Sequence, residues 1–276
     1  MESDTCGARS MNLLYNDLSI TKQAVHQGFN RALKHYEEAS YLVNIIVQVR
    51  RDHPTMSCEG MYYRINPSTM GRDKFVQFCM DNGFRSAAPV NRRRTTDSSG
   101  VVRFDNLTLD FQVTGINQVW SSDITYFPVG NEFFYITFII DNYSRRILGW
   151  NVSKSLTTES TTLPALKKAV NIRRKTLPRG IIFHSDGGGQ YYDKNFVHYT
   201  QKTLHMKNSM CDYPWKNSYA ERLNGVIKNC YLTHWPIKTF EGLVKMVDRA
   251  VDLYNREKPH KSLKFKSPIA FEETLM

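Results

Sequence analysis

Val119-Trp120-Ser121-Ser122-Asp123-Ile124-Thr125-Tyr126, followed after Pro128-Val129-Gly130-Asn131 by Glu132-Phe133-Phe134-Tyr135-Ile136-Thr137-Phe138-Ile139-Ile140, is where the chain changes character. Both segments are dense in β-branched and aromatic residues, and turn formers lie between them, so they read as two antiparallel strands. A third strand, 145–152, follows the turn Asn142-Tyr143-Ser144. Beyond it the pattern predicts a helix at 158–175, a short apolar strand at 180–184, a helix at 193–202, a strand at 205–211 and a long helix at 217–232.

That order, β-β-β-α-β-α-β-α, describes a mixed α/β sheet flanked by helices, an RNase H-like arrangement expected to span 117–235. Upstream, 12–84 reads as short helices with helix-turn-helix character. Leu42, Ile45, Ile46 and Val49 recur at helical spacing before a stop at Asp52-His53-Pro54. Thr21 precedes a helix bearing Lys22, and 57–65 and 72–80 flank a turn rich in Asn, Pro and Ser. Such units either lay polar side chains into a DNA groove, with Lys22 and Lys74 as contacts, or form a small bundle with a solvated polar face. Between the two regions, 85–116 reads as a linker whose Arg92-Arg93-Arg94 run either tracks a phosphate backbone or is a solvated strip. At the end, 236–276 carries Leu243, Met246, Val247, Ala250, Val251 and Tyr254 on one face of an amphipathic helix.

Composition narrows the class. Lys plus Arg number 37 against 26 for Asp plus Glu, a net +11, which favours polyanionic partners, nucleic acid first. The longest apolar stretch, 133–140, falls well short of the ~18 residues of a membrane span, and the polar opening lacks the pattern of a secretory signal. The expectation is a cytosolic protein with no membrane partner. Five scattered cysteines without a C-x-x-C pair suit reduced thiols rather than a disulfide scaffold or structural zinc.

Three acids carry the chemical argument: Asp123 within the first strand, Asp186 just beyond the fourth, and Glu221 on the following long helix. A carboxylate in or beside an apolar strand is costly unless paired, hydrogen-bonded or metal-bound. If the first and fourth strands are neighbours, the two aspartates converge and Glu221 closes over them, a cluster that repels itself without a cation. Two Mg²⁺ ions, with oxygen ligands and open positions for phosphate, answer that need and suit in-line phosphoryl displacement. The alternative is that the aspartates cap turns and Glu221 is a surface residue.

Four ordered segments then carry a resemblance: 117–126, 140–150 (Ile140-Asp141-Asn142-Tyr143-Ser144-Arg145-Arg146-Ile147-Leu148-Gly149-Trp150), 184–191 (His184-Ser185-Asp186-Gly187-Gly188-Gly189-Gln190-Tyr191) and 220–225 (Ala220-Glu221-Arg222-Leu223-Asn224-Gly225). They resemble the integrase-core motifs of bacterial insertion-sequence transposases, in particular the second-frame product (OrfB) of the IS-three family. The tail Tyr254-Asn255-Arg256-Glu257-Lys258-Pro259-His260 and the N-terminal helices are similar to that family as well. The resemblance implies that Asp123, Asp186 and Glu221 are a DDE triad and Mg²⁺ ligands, with Mn²⁺ able to substitute. It also implies a DNA transposase that cleaves transposon ends and joins the freed 3′-OH to a second strand. It further implies action as a homo-oligomer on DNA in the bacterial nucleoid, with fusion by frameshifting to an upstream-frame protein. Two features depart from the family pattern: 34 residues separate Asp186 from Glu221, one fewer than usual, and Lys258 stands where Arg is common. A catalytically silent DNA-binding regulator or domesticated transposase is the alternative of a different class, and an RNase H-type nuclease is a third.

On the predicted long helix, Asn217, Glu221, Asn224 and Lys228 share one face, which suits a duplex end running along it, with Lys228 touching the end. Gln190 and Tyr191, after the Gly-rich turn, either contact DNA or pack the loop. Asp141 reads as a strand-end turn former, His184 as a packed histidine, and Trp120 and Trp150 as core.

Overall fold

A computed structural model describes residues 11–86, 104–211 and 217–275. The Arg92–Arg94 run and residues 212–216 lie outside the described residues. The chain divides into two units, Met1–Arg51 and Asp52–Met276. The first holds α1 (Met11–Asp17) and most of α2 (Lys22–Asp52). Thr21 Oγ1 accepts from the Ala24 N–H at the start of α2, the cap the sequence anticipates. One expectation changes here: α2 runs for 31 residues rather than as short helices, because no Pro or αL residue interrupts it before Pro54.

The second unit opens with α3 (Cys58–Ile65), capped by Ser57, and α4 (Arg72–Asp81). The turn between them is entered through Asn66 in the left-handed region. Five strands follow: β1 (Val119–Val129), β2 (Glu132–Asp141), β3 (Ile147–Ser153), β4 (Ile182–Ser185) and β5 (Lys207–Met210). They form one sheet in the order β3-β2-β1-β4-β5. The first three are antiparallel, while β4 and β5 run parallel to β1. This is the mixed RNase H-like sheet that the strand order predicts. Arg145 and Arg146 fall in the β2–β3 turn rather than in the third strand. Asp141 accepts there from the Tyr143 and Ser144 N–H groups, and Arg145 takes φ +62°.

Period-two alternation assigns the sheet's two faces. Phe134, Ile136, Phe138 and Ile140 of β2 point to one face, where they meet Leu223 and Ile227 of α7 (Ser218–Cys230) and Leu243, Val247 and Val251 of α8 (Phe240–Arg256). Ile139 and Trp120 point to the other, against Ala165, Leu166 and Ala169 of α5 (Thr162–Arg173) and Phe196 of α6 (Lys194–Val197). Gly149 is where α5 comes closest: a Cβ there would stand 2.1 Å from the Ala165 carbonyl oxygen, so only glycine fits. The chain ends in α9 (Pro268–Glu273), whose buried Glu272 receives two hydrogen bonds from Arg173 and one, at 2.6 Å, from Arg146. No helix among the described residues is long and apolar enough to cross a membrane.

Candidate active site

The parallel pairing of β1 with β4 sets Ser122 opposite Ser185, so the next residue on each strand is an aspartate: Asp123 on one, Asp186 on the other. The apolar β4 run Ile182-Phe183 is buried to its end, and Asp186 leaves it in a turn where its Oδ1 accepts from the Gly188 N–H at 3.2 Å. Helix α7 lies against β1 and is tied to it by two amides. Asn217 Nδ2 donates to the Ser122 carbonyl at 2.8 Å, and Asn224 Nδ2 donates to Asp123 Oδ2 at 2.8 Å. Glu221 stands between them, at i+4 from Asn217 and i−3 from Asn224, and so projects from the face turned toward β1.

Electrostatics tie the three acids together. Burial, then Asp186, then Glu221 push the Asp123 carboxyl up to about 8, while Asn224 pulls it down. Asp186 is likewise raised, by burial first and then against the Gly188 hydrogen bond by Glu221. The buried Cys211 thiol, beside them at the end of β5, is pushed up to about 12 by burial and Asp186. At neutral pH the metal-free cluster therefore retains a proton on Asp123. Among the described residues no three His, Cys, Asp or Glu side chains stand close enough, as placed, to hold a metal ion. The donor chemistry nonetheless fits a hard cation: three carboxylates, one of them binding a proton in place of a positive charge, and no sulfur or imidazole ligand in the set.

Of the other residues singled out in the sequence, several take different roles. Asn217 and Asn224 are buried, 2% and 5% exposed, with their amides spent on β1, which corrects their assignment as DNA contacts. Each amide nitrogen on that helix face donates to β1, so the amide face packs inward, while the two amide oxygens are buried with no hydrogen-bond partner among the described residues. Tyr191 is corrected too: it is 2% exposed, between Phe183 and Phe196, and its hydroxyl is 2.9 Å from Ser122 Oγ. Gln190 packs its loop, donating from Nε2 to the Leu156 carbonyl at 2.9 Å, while its own carbonyl accepts from Thr158 and Thr162. Lys228 is half-buried, with Nζ 5.4 Å from the centre of the Tyr126 ring. Lys22 and Lys74 are exposed on their helices. Asp141 is a structural anchor, accepting from the Asn117 N–H at 2.7 Å besides the turn amides. His184 is buried, with Nδ1 3.0 Å from Ser209 Oγ, and Trp120 is core. Trp150 is only half-buried, beneath Lys168. Sequence reasoning missed Ser122, whose Oγ bridges the Phe138 carbonyl and Tyr191 directly under Asp123; its place in the Ser-Ser-Asp triplet was the available signal. It also missed Glu272, for which no local signal exists.

A mixed five-stranded sheet with acids at the ends of its central parallel pair and a third on the covering helix defines a protein of the integrase-core class. Residues 114–213 and 203–268 match two integrase core domain families. The insertion element IS600 uncharacterized 31 kDa protein of Shigella sonnei is 30% identical over 215 residues, covering 75% of this chain and 77% of that one. Transposase InsF for insertion sequence IS3A of Escherichia coli (strain K12) is 32% identical over 135 residues, or 49% of this chain. In that match the chain spans 44% of the transposase's length. The HTLV-2 integrase catalytic core domain, solved in complex with magnesium, superposes with a TM-score of 0.46 at 20% identity, covering 56% of this chain and 95% of that one. The chain belongs to the IS3 family of insertion-sequence transposases.

Proposed function

We propose that the protein is a DDE DNA transposase, which cuts the ends of its element by hydrolysis and joins each freed 3′-OH to a second DNA strand by transesterification. The observation that carries this reading is the pairing of Asp123 and Asp186 on adjacent parallel strands beneath a helix whose Glu221 is flanked by two amides bonded to β1. Asp123, Asp186 and Glu221 would hold two magnesium ions, replaceable by manganese. When bound, the metal supplies charge neutralisation and Lewis acidity for phosphoryl displacement.

The chain's own part is positioning. Asn224 fixes one oxygen of Asp123, leaving the other for a ligand, and Gly188 does the same for Asp186. Asn217 holds the start of α7 against β1, so that Glu221 is presented over the aspartates and not to solvent. Water attacks the phosphodiester and the P–O3′ bond breaks, the 3′-oxygen taking up a proton that the water gives. That 3′-hydroxyl later attacks a phosphodiester of a second strand, whose own 3′-oxygen leaves with the displaced proton, and no side-chain nucleophile is required. The partners in this reading are transposon-end and target DNA, a second copy of the chain on DNA, and an upstream-frame protein joined by frameshifting. The place of action is the bacterial nucleoid, and Lys228, Lys22, Lys74 and Arg92–Arg94 contribute to DNA affinity.

The test is incubation of the full chain with Mg²⁺ and DNA carrying the element's own ends. Nicks at the ends and end-to-end joined strands are expected, and Asp123→Asn, Asp186→Asn and Glu221→Gln should each abolish both while retaining DNA binding. Mn²⁺ should support the reaction, and Ca²⁺ binding alone. Cleavage that persists in a chelator, or in any of the three variants, refutes the assignment.

A further inference from the structure

On a flank of α7 off the face of Asn217, Glu221 and Asn224 stands a group of basic residues that form no ion pair among the described residues. Arg145, in the left-handed position of the β2–β3 turn, lays its guanidinium 4.1 Å over the Tyr219 ring, and Nη2 donates to the Tyr219 hydroxyl at 3.4 Å. Its Nη1 is buried and has no hydrogen-bond partner. Tyr219 and Arg222 are i,i+3 neighbours on α7, off the face shared by Asn217, Glu221 and Asn224. From the chain after α8 come Lys258 and His260. The His260 ring meets Tyr254 edge-on at 4.8 Å, and its Nε2 is likewise buried and unpartnered.

These groups act on one another. Tyr254 feels both Arg145 and Arg222, and His260 feels both Lys258 and Arg145. Burial followed by those two cations drives His260 down to about 3, and burial lowers Lys258 as well. None of the four basic residues has an Asp or Glu within ion-pair distance among the described residues. Gathering basic groups in a half-buried setting, with two buried nitrogens unsatisfied, costs free energy that Tyr219, Tyr254 and Asp141, acting on Arg145, offset only in part. An anion would offset it, and the cluster is open to one: Arg222 is exposed, and Arg145, Lys258 and His260 are half-buried.

We propose that Arg145, Arg222, Lys258 and His260 form a phosphate-binding site that holds the backbone of a nucleic-acid strand along this flank of α7. A guanidinium fork and an ammonium suit phosphate oxygens, and such contacts fix register without reading sequence. A strand rather than a free phosphate is favoured by the number and origin of the groups: four basic residues from three separate segments, the β2–β3 turn, α7 and the chain after α8, exceed what one phosphate requires. The inference rests on the DNA-processing reading above.

The experiment measures the affinity of the full chain for a fluorescein-labelled random duplex by anisotropy across a salt titration, in Ca²⁺ so that no chemistry intervenes. Each lost phosphate contact removes about 0.9 from the slope of log K against log salt. The double variant Arg222→Gln/Lys258→Gln, which spares the packed Arg145, should therefore lower the slope by about 1.8. Its fold-loss of affinity between about 50 and 200 mM salt should then be about 12 times smaller than that of wild type. Lys202→Gln, an exposed cation beyond α6, should leave the slope unchanged. An unaltered slope in the folded double variant overturns the proposal, as does an equal fall in Lys202→Gln. Displacement of the duplex by pyrophosphate at matched ionic strength, lost in the double variant, would assign the site to a free phosphate and overturn the strand assignment. Failure of the wild type to bind DNA at all would instead refute the function itself.

Discussion

Replacing Asp123 by Asn should stabilise the metal-free protein at alkaline pH and leave it unchanged in acid. In the folded chain the Asp123 carboxyl titrates near 8, against an ordinary value of 3.8. Below the lower value both folded and unfolded chains hold the proton and the group is neutral to stability. Between the two values the folded state keeps a proton that the unfolded chain has released, so stability falls as pH rises through the window and levels off above about 8. At ~1.4 kcal/mol per pH unit, the whole interval sets a ceiling of about 6 kcal/mol. Asp123 retains some solvent contact and titrates together with its neighbours, so the expected gain in the variant is about 2 to 4 kcal/mol. Asn has the same shape, and its carbonyl oxygen can still accept from Asn224 Nδ2, so packing is preserved. Urea unfolding in a chelator, near pH 4 and near pH 9, measures the difference directly. Added Mg²⁺ should raise the stability of the wild type at the higher pH and do little for the variant. A stability difference that is the same at both pH values would show that Asp123 carries no such burden, and the clustered-carboxylate account would fail.

Asn224→Ala removes the amide that fixes one oxygen of Asp123 and should weaken Mg²⁺ binding about tenfold or more; the Mg²⁺ midpoint of thermal stabilisation reads this, and an unchanged midpoint would mean that the amide only packs. Glu272→Ala leaves buried Arg173 with only the longer Asp141 contact, at 3.9 Å, and should cost about 3 kcal/mol in urea unfolding, whereas a loss below about 1 kcal/mol would mean that water or Asp141 replaces the carboxylate. Gly149→Ala drives a methyl into the Ala165 carbonyl and should lower stability by about 3 kcal/mol or more, visible as a collapse of the melting temperature; a normal melt would show that α5 can move away from the sheet.

The amino-acid sequence by itself determined the strands, their order and the acids. Residues 119–126 and 132–140 announce themselves by β-branched density and by the turn between them, and those signals are local. Asp123, Asp186 and Glu221 are legible because a carboxylate inside or beside apolar strands demands an explanation. The inward use of the helix α7 face was not legible. Asn217, Asn224 and Lys228 have the spacing of a surface stripe, and periodicity reports which residues share a face but not what that face meets. Only the contact with β1 turned the two amides into supports for Ser122 and Asp123. Tyr191 shows the same limit: its place after a Gly-rich turn leaves DNA contact and loop packing equally open, and the aromatic pocket of Phe183 and Phe196, built from β4 and α6, takes it into the core. Glu272 joins segments 99 and 126 residues away, and the basic group around Arg145 brings a hairpin turn to the chain after α8. No window of sequence contains both partners of such contacts, so tertiary structure alone decides whether a charge there is paired, buried or waiting for a ligand.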